Sequence, residues 1–390
     1  MTVGEAARRP GASRAVRTAR LVAALVVVLA LVFGVPWWTL VAAPGWPAPV
    51  PAAGGAVFAL AALGLPVLML LGHARGNDAA ARAGDTLLGV AWVLFTWSVL
   101  GQVLRLVLWT VGVENAARIA VAAVLVVAAA LLGWGYVEAM RVPRVRDVEV
   151  TLPRLRPGLD GTRVVLLTDT HYGPIDRAGW SAKVAAVVNG LDADVVCHVG
   201  DIADGGVEQR RAQVAPLEGI AARLARVYVT GNHEYFGDAA GWLDHMRGIG
   251  WEPLHNRHVV VERGGDRLVL AGTDDATAGG SGLPGHGSDL DATLAGADES
   301  LPVLLLAHQP KQVAAAEAAG VDLQVSGHTH GGQIWPFHHL VRLDQPAVAG
   351  LSRRTARTQL YTSRGTGFWG PPFRVFAPSE ITLLTLRAPA

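Results

Sequence analysis

The chain has 390 residues, a formal net charge of +1 and a hydrophobic share of 51%. A charge this close to zero, without a basic stripe interleaved with aromatic residues, argues against a nucleic-acid-binding protein. The apolar share exceeds what one ordinary soluble domain needs, so part of the chain must have another environment.

The composition changes near residue 145. Residues 19–140 are rich in Ala, Val and Leu and nearly free of charge, whereas residues 145–390 have the mixed composition of a globular domain. The first segment predicts a transmembrane region, preceded by a basic cytoplasmic N-terminus over residues 1–18. The second part is long enough to bury a large core of its own.

Four apolar stretches in the first part have the length that a helix needs to cross a bilayer, ~20 residues. They have no polar face, so the buried helical core of a soluble protein explains them poorly. The predicted membrane spans are 20–42, 55–74, 86–109 and 119–140.

Basic residues flank these spans asymmetrically. Arginines precede the first span, lie in the second loop as Arg75 and Arg82, and follow the fourth span, whereas the first loop carries no charge. By the positive-inside rule, we expect a multi-pass protein of the cell membrane whose globular part lies in the cytoplasm. The pair Arg8–Arg9 leaves a twin-arginine export signal as an alternative, which would place the globular part outside.

Beyond residue 145 the apolar pattern becomes one of short strands alternating with helices, which indicates an α/β fold. The late strands lack intervening helices, so a two-sheet sandwich flanked by helices would accommodate both patterns. The predicted strands are 147–152, 163–168, 194–199, 226–230, 257–262, 267–272, 302–307, 322–326, 358–363 and 380–386. The predicted helices are 178–190, 207–225, 238–248 and 311–319.

Residues of metal-ligand type follow, or nearly follow, apolar runs in the segments LLTDTHYG, HVGDIAD, TGNHEY, LLAHQP and SGHTHGG. Strands that end in Asp, Asn or His place these side chains at the rim of a sheet, where ligands from several strands converge. The candidate metal ligands are Asp169, His171, Asp201, Asn232, His308, His328 and His330. By contrast, His255, His258 and His286 have no partner spacing, and no role is predicted for them.

These ligand types suit two divalent ions, with Mn, Fe and Zn left open. Asp201 has two oxygens and can bridge the ions, and two ions ~3.5–4 Å apart would clamp a phosphate and generate a hydroxide nucleophile. His233 follows a ligand directly and is not needed as one, so it is a candidate proton donor to the leaving oxygen. Asp204 could hold that imidazole and raise its pKa.

The ordered set D-x-H, G-D-x-x-D, G-N-H-E, a lone His after a strand, and G-H-T-H resembles the calcineurin-like metallophosphoesterase superfamily. The stretches SGHTHGGQIWPF and SRGTGFWGPPFRVFAPSEITLLTL are similar to its membrane-associated bacterial, YkuE-like branch. The resemblance covers residues 145–390, and the four spans carry none of the motifs. It implies a four-layered α/β/β/α sandwich for this part of the chain.

The resemblance also implies how the ligands divide. One ion would be held by Asp169, His171, Asp201 and His330, and the other by Asp201, Asn232, His308 and His328. His233 would be the acid, with Asp204 as its partner. One departure is visible, because position 205 is Gly where protein-phosphatase members have Arg, which argues against a protein phosphatase and makes Arg364 a candidate for binding phosphate.

Together these observations predict a membrane-anchored, metal-dependent phosphoric ester hydrolase with a dinuclear metal centre. Its substrate would be a phosphodiester or lipid-linked phosphate, cleaved by metal-activated hydroxide. The alternative is a catalytically weak membrane sensor or scaffold that retains the fold, against which the intact ligand set argues. Cys197, the single cysteine, is predicted to be a small buried residue on a strand.

Overall fold

The computed structural model describes residues 14–389, so Arg8, Arg9 and most of the predicted basic N-terminus lie outside the described residues. The chain forms two compact units. The first contains the residues up to Val67 together with Val90–Ala130. The second contains Leu68–Gly89 and Leu131–Ala390.

Four helices of the described chain are long and apolar enough to cross a membrane, as predicted. They are α1 Arg14–Trp37, α2 Val50–Met69, α3 Asp78–Thr110 and α4 Ala116–Met140. Helices α1 and α2 each continue through a π-helical turn, Trp38–Ala42 and Leu70–Ala74. Helix α3 begins well before the predicted residue 86, because Asn77 caps it by accepting a hydrogen bond from the main-chain N–H of Ala80.

The described residues of the second unit form twelve strands in two six-stranded sheets. The strands of the first sheet are β1 Arg144–Thr151, β2 Thr162–Leu167, β3 Val195–Val199, β4 Ala225–Val229, β5 Glu252–Pro253 and β12 Glu380–Arg387. Those of the second are β6 Arg257–Arg263, β7 Asp266–Gly272, β8 Val303–Leu306, β9 Leu323–Ser326, β10 Gly350–Arg353 and β11 Gln359–Thr362. The spatial orders are β1-β12-β2-β3-β4-β5 and β10-β11-β9-β8-β7-β6.

The helices of this unit are shorter. They are α5 Ala178–Asn189, α6 Val207–Val214, α7 Asn232–Phe236, α8 Ala239–Gly248, α9 Leu290–Leu294, α10 Val313–Ala318 and α11 His338–Val341. The helix predicted over 207–225 was too long, since α6 ends at Val214 and gives way to a 3-10 turn, Ala215–Gly219. Pro216 has no N–H to donate and so favours this early end.

Three apolar clusters make the unit four-layered. Alternate strand residues such as Val164 and Leu304 meet between the two sheets. On the outer face of the first sheet, Val196 belongs to a cluster with residues of α5 and α8. On the outer face of the second, Leu305 packs with Ala316 of α10. The predicted α/β/β/α sandwich is therefore confirmed.

The carboxyl ends of the central strands of both sheets lie at one edge of the sandwich. Strands β2, β3 and β4 are mutually parallel, as are β7, β8 and β9, so within each sheet their carboxyl ends share an edge. The predicted ligands follow directly after β2, β3, β4, β8 and β9. Polar side chains from both sheets therefore meet at one rim of the sandwich.

Candidate metal centre

Two groups of predicted ligands meet at this rim, and Asp201 lies between them. In the first group, Nε2 of His330 lies 3.4 Å from Oδ1 of Asp169 and 3.1 Å from Nε2 of His171. Oδ2 of Asp201 is 3.6 Å from that same His171 atom. These ligand atoms are close enough to surround one ion.

In the second group, Oδ2 of Asp201 lies 3.0 Å from Nε2 of His308. His328 completes this group, since one ligand atom from each of the three residues lies within 4.8 Å of the others. The main-chain N–H of His233 donates to Oδ1 of Asp201 over 2.8 Å, which brings the neighbouring Asn232 to the same place.

The backbone at these ligands is unusual. Five of them have a positive φ although they are not glycine, a conformation that costs energy for residues with a side chain. They are Asp169, His171, Asp201, His328 and His330, with φ between 42° and 67°. The fold therefore holds these residues in a left-handed conformation that aims the side chains at the rim.

Two glycines make room for the carboxylates. A Cβ at Gly231 would collide with Oδ1 of Asp201, and a Cβ at Gly327 would collide with Oδ2 of Asp169. The Gly residues of the G-N-H and G-H-T-H segments are thus required by close approach of the backbone to the ligands.

Two buried polar atoms among the predicted ligands have no hydrogen-bond partner within residues 14–389. They are Oδ1 of Asn232 and Nε2 of His308. The His308 atom is near Asp201, but the contact does not have hydrogen-bond geometry. Buried polar atoms are nearly always satisfied, and exceptions require an explanation such as a bound ion. The donor set of carboxylate, amide oxygen and imidazole fits divalent metals.

His233 and His171 share one carboxylate. Nδ1 of His233 lies 2.8 Å from Oδ1 of Asp204, and Nδ1 of His171 lies 2.9 Å from the same oxygen. Burial alone would raise the pKa of Asp204, but these two imidazoles hold it well below its ordinary value. Asp204 is therefore an anion that fixes the orientation of both rings.

The protonation of the histidines follows their surroundings. Burial and the positive charge of Arg374 hold the pKa of His330 well below its ordinary value, and burial with the charge of His308 lowers the pKa of His328 to about 3. Both rings are therefore in the neutral form that binds metals. Burial alone would lower the pKa of His233, but the charges of Asp201 and Asp204 raise it to about 9.

Two residues that support the centre were not predicted. Glu234, fully buried, accepts hydrogen bonds from the main-chain N–H groups of Asp201, Ile202 and Gly231. Arg374, also buried, donates to the main-chain oxygen of His330 over 2.7 Å and contacts its ring Nδ1 at 3.0 Å. The E in G-N-H-E was a local signal for Glu234. Arg374 had no such signal, because it lies far along the chain from His330.

A cavity opens beside the first ligand group, within the second unit. His171, Asp204, Arg177 and Phe368 line it on one side, and Arg82 and Asp85 of helix α3 line it on another. Nη1 of Arg177 is buried and finds no hydrogen-bond partner in the part of the chain that the structure describes. The ligand-bearing rim is thus continuous with the first turns of a long apolar helix.

Arg364, the predicted phosphate-binding residue, and two aromatic residues lie near the centre. Arg364 reaches Glu380, with 3.5 Å between Nη1 and Oε2, and its stem approaches Gly331. The rings of Trp369 and Phe236 lie 5.8 Å and 5.3 Å from that of His233, and both are exposed. Aromatic surface therefore flanks the predicted acid.

Comparison with known proteins adds independent observations. Residues 162–332 match the family of calcineurin-like phosphoesterases. A transmembrane protein with metallophosphoesterase domain from Danio rerio is 39% identical over 269 residues, which are 67% of this chain and 62% of that protein. The chain thus spans less than two thirds of that relative.

Two bacterial relatives match a similar region. An uncharacterized metallophosphoesterase of Helicobacter pylori is 36% identical over 261 residues, which are 66% of this chain and 68% of that protein. The uncharacterized metallophosphoesterase YkuE of Bacillus subtilis is 27% identical over 266 residues, which are 66% of this chain and 90% of that protein.

Proposed function

Since the chain belongs to the calcineurin-like metallophosphoesterase family, as its motifs predicted, we propose that it is a membrane-anchored hydrolase of lipid-linked phosphoesters. The observation that carries this proposal is the pair of buried, unsatisfied atoms on Asn232 and His308 beside the carboxylate of Asp201. Such atoms fit a site built to hold metal ions and not a packed core.

The site would hold two divalent ions, of Mn, Fe or Zn. Asp169, His171 and His330 would bind one, and Asn232, His308 and His328 the other, with Asp201 bridging both. Two ions in this arrangement would polarise the phosphoryl group and activate water for attack. The contacts between Asp201 and the histidines of both groups support this division.

His233 would donate a proton to the leaving oxygen. Its ring lies next to the ligands without being needed among them, and Asp204 orients it through Nδ1. Its raised pKa keeps the imidazolium available at neutral pH. Asp204 would have a second task, because it also holds the ring of the ligand His171.

The cavity supports a lipid-linked substrate. Its wall combines two residues of the centre, His171 and Asp204, with Arg82 and Asp85 near the start of α3. Helix α3 has 33 residues and is apolar enough to cross a membrane. A phosphoester in this cavity would therefore lie beside the end of a membrane span, where a lipid headgroup is found.

Two arginines of the cavity would bind the phosphate. Arg82 is exposed, and Arg177 offers a buried Nη1 that no other group among the described residues satisfies. They would take the place of the arginine that is absent at position 205, which is Gly in this chain. Arg364, which the sequence suggested for binding phosphate, is less suited to that role, because its guanidinium already faces the carboxylate of Glu380.

In this proposal residues 19–140 form the membrane region and residues 145–390 the phosphoesterase domain. Arg75, Arg82 and the arginines after α4 would lie on the cytoplasmic side of the cell membrane, together with the catalytic centre. A reporter fused to the C-terminus tests this orientation. If the reporter is one that is active only outside the cytoplasm, its activity would contradict the cytoplasmic orientation.

The decisive experiment for the function uses the full chain in detergent, loaded with Mn²⁺ and given a phosphodiester of a chromogenic phenol. We expect turnover by the wild type and only buffer background for Asp201→Asn. Asp192→Asn is the matched control, because Asp192 is an exposed aspartate with a similar positive φ. Wild-type protein that binds metal but hydrolyses neither this substrate nor a phospholipid would instead indicate a sensor or scaffold.

A further inference from the structure

A second group of ligand-type side chains lies outside the centre described above. His255 is in the loop between β5 and β6, Asp274 follows β7, and His286 belongs to the glycine-rich loop before α9. One ligand atom from each lies within 4.8 Å of the others. We propose that His255, Asp274 and His286 bind an additional divalent cation, with Zn²⁺ as the favoured ion.

The two imidazoles turn the same nitrogen toward one carboxylate. Nδ1 of His255 lies 2.6 Å from Oδ1 of Asp274, and Nδ1 of His286 lies 3.6 Å from Oδ2. The ring centroids of the two histidines are 4.5 Å apart. Two nitrogens and a carboxylate that converge in this way form three corners of a metal site.

The charge of Asp274 points to a cation. The residue is 1% exposed, and in residues 14–389 no lysine or arginine nitrogen lies within 4.0 Å of its carboxylate. A buried carboxylate is costly unless positive charge lies beside it, and the groups that face this one are the imidazoles of His255 and His286. The two histidines cannot both be protonated at low cost, because imidazolium rings this close repel each other. A divalent ion bound to neutral rings satisfies all three groups at once.

Asn256 holds the surrounding loops in place. Its side-chain oxygen accepts hydrogen bonds from the main-chain N–H groups of Asp274 and Asp289, at 3.1 and 3.2 Å. Its side-chain nitrogen donates to the oxygen of Gly287 over 2.6 Å, and the N–H of Gly287 donates to Oδ2 of Asp274. The ligands are therefore positioned by a network of their own, as metal ligands generally are.

The fourth coordination position of the ion could be filled by either of two oxygens, the hydroxyl of Tyr235 or a water molecule. The hydroxyl of Tyr235 lies 3.1 Å from Nδ1 of His286, and the side chain of His255 is 34% exposed, so water can also reach the ion. Two imidazoles with one carboxylate and one further oxygen suit tetrahedral Zn²⁺.

Tyr235 connects this site to the catalytic centre. It belongs to α7, which begins at Asn232 and carries His233. An ion held by His255, Asp274 and His286 would therefore fix the glycine-rich loop against the helix that presents a ligand and the proposed acid. The site is structural in this proposal, and no step of the hydrolysis passes through it.

The test measures the equivalents of Zn²⁺ bound per chain. The full chain is purified in detergent, stripped of metal with a chelator, reloaded with Zn²⁺ and separated from excess ion. We expect the wild type to hold one more equivalent of Zn²⁺ than His286→Gln or Asp274→Asn. His258→Gln is the matched control, because His258 lies nearby on β6 and bonds only the main-chain oxygen of Thr293 in the contacts of the described chain. Equal metal content in all of these proteins would overturn the proposal.

A second measurement separates this site from the catalytic centre and from misfolding. In the Asp201→Asn background, Co²⁺ should still produce the visible absorption of a tetrahedral nitrogen and oxygen site, and His255→Gln in that background should abolish it. Absence of the absorption in Asp201→Asn itself would refute the additional site. Because neither readout uses hydrolysis, a failure of the proposed phosphoesterase activity would leave both results interpretable.

Discussion

The Nδ1 atom of His233 lies 2.8 Å from Oδ1 of Asp204, and that oxygen is also 2.9 Å from Nδ1 of the predicted ligand His171. One carboxylate thus links the proposed acid to the metal centre. Replacing it should affect metal binding and proton transfer together, whereas replacing His233 should affect proton transfer alone. Variants at His233 and at Asp204 therefore separate these effects.

His233→Asn should slow hydrolysis in proportion to how much the leaving group needs a proton. General acids contribute about 10²- to 10⁴-fold, so we expect a loss in that range for an alkyl phosphodiester. The loss should be much smaller for a p-nitrophenyl diester, whose leaving oxygen is weakly basic. The measurement is kcat for a series of leaving groups, and an equal loss across the series would contradict the acid role.

Asp204→Asn should lower both kcat and metal affinity. Outer contacts of ligating histidines are typically worth about 10- to 100-fold in metal affinity or activity, because they orient the ring. We therefore expect a higher Mn²⁺ concentration for half-maximal activity than in the wild type. His233→Asn is the comparison, and it should leave that concentration unchanged. A shift of equal size in both variants would show that Asp204 acts only through His233.

Glu234→Gln should weaken the fold around the centre. The carboxylate accepts main-chain hydrogen bonds from Asp201, Ile202 and Gly231, and an amide replaces one of its acceptor oxygens with a donor. Leaving a buried donor unsatisfied costs about 1–3 kcal/mol. Thermal unfolding of the metal-free protein should show a lower Tm than for Glu208→Gln, an acidic residue in the first turn of α6. An unchanged Tm would argue against this role.

Arg82→Ala should raise KM for a phospholipid substrate more than for a small aryl phosphodiester. Arg82 is exposed and lines the cavity beside His171, so it can reach the headgroup of a bound lipid. We expect the loss to appear mainly in KM, because Arg82 would bind the phosphate of either substrate and, in addition, the headgroup of the lipid. Arg75→Ala, in the loop that precedes α3, is the control for general loss of positive charge. Equal effects on the two substrates would remove Arg82 from lipid recognition.

Cys197 should be unreactive in the native protein. It is fully buried on β3, and burial raises the pKa of its thiol, so the reactive thiolate is not populated at pH 8. A thiol reagent should label the protein only after denaturation. Labelling of the native chain at the rate of a free thiol would show that the core between the sheets opens.

Local sequence signals were sufficient for the strand ends and for the polar residues that follow them. Segments such as HVGDIAD combine a buried strand with a polar residue immediately after it, and the structure has β3 end at Val199 beside Asp201. The helix boundary at Val214 was missed because the apolar pattern continues past Pro216. The start of α3 was missed because Asp78 and Arg82 interrupt an otherwise apolar segment.

Contacts between residues that are far apart in the sequence could not be predicted from such local signals. Arg374 meets His330 through a loop that follows β11, and no periodicity encodes that approach. His255 and His286 carried no spacing signal, because Asp274 joins them only when the loop before β6 and the long segment between β7 and α9 come together. Asp204 was predicted as a partner of His233. Its second contact, with His171, also joins segments that are far apart in the sequence and was not predicted.

The amino-acid sequence by itself determined the four apolar helices, the α/β sandwich and the identity of the predicted metal ligands. These features follow from hydrophobic periodicity and from residues adjacent to strand ends, which are properties of short segments. Only the tertiary structure decided which predicted ligands lie beside Asp201, which buried groups hold them, and that the cavity reaches Arg82 on α3. Those relationships depend on the register and packing of two sheets, which bring together side chains from widely separated segments.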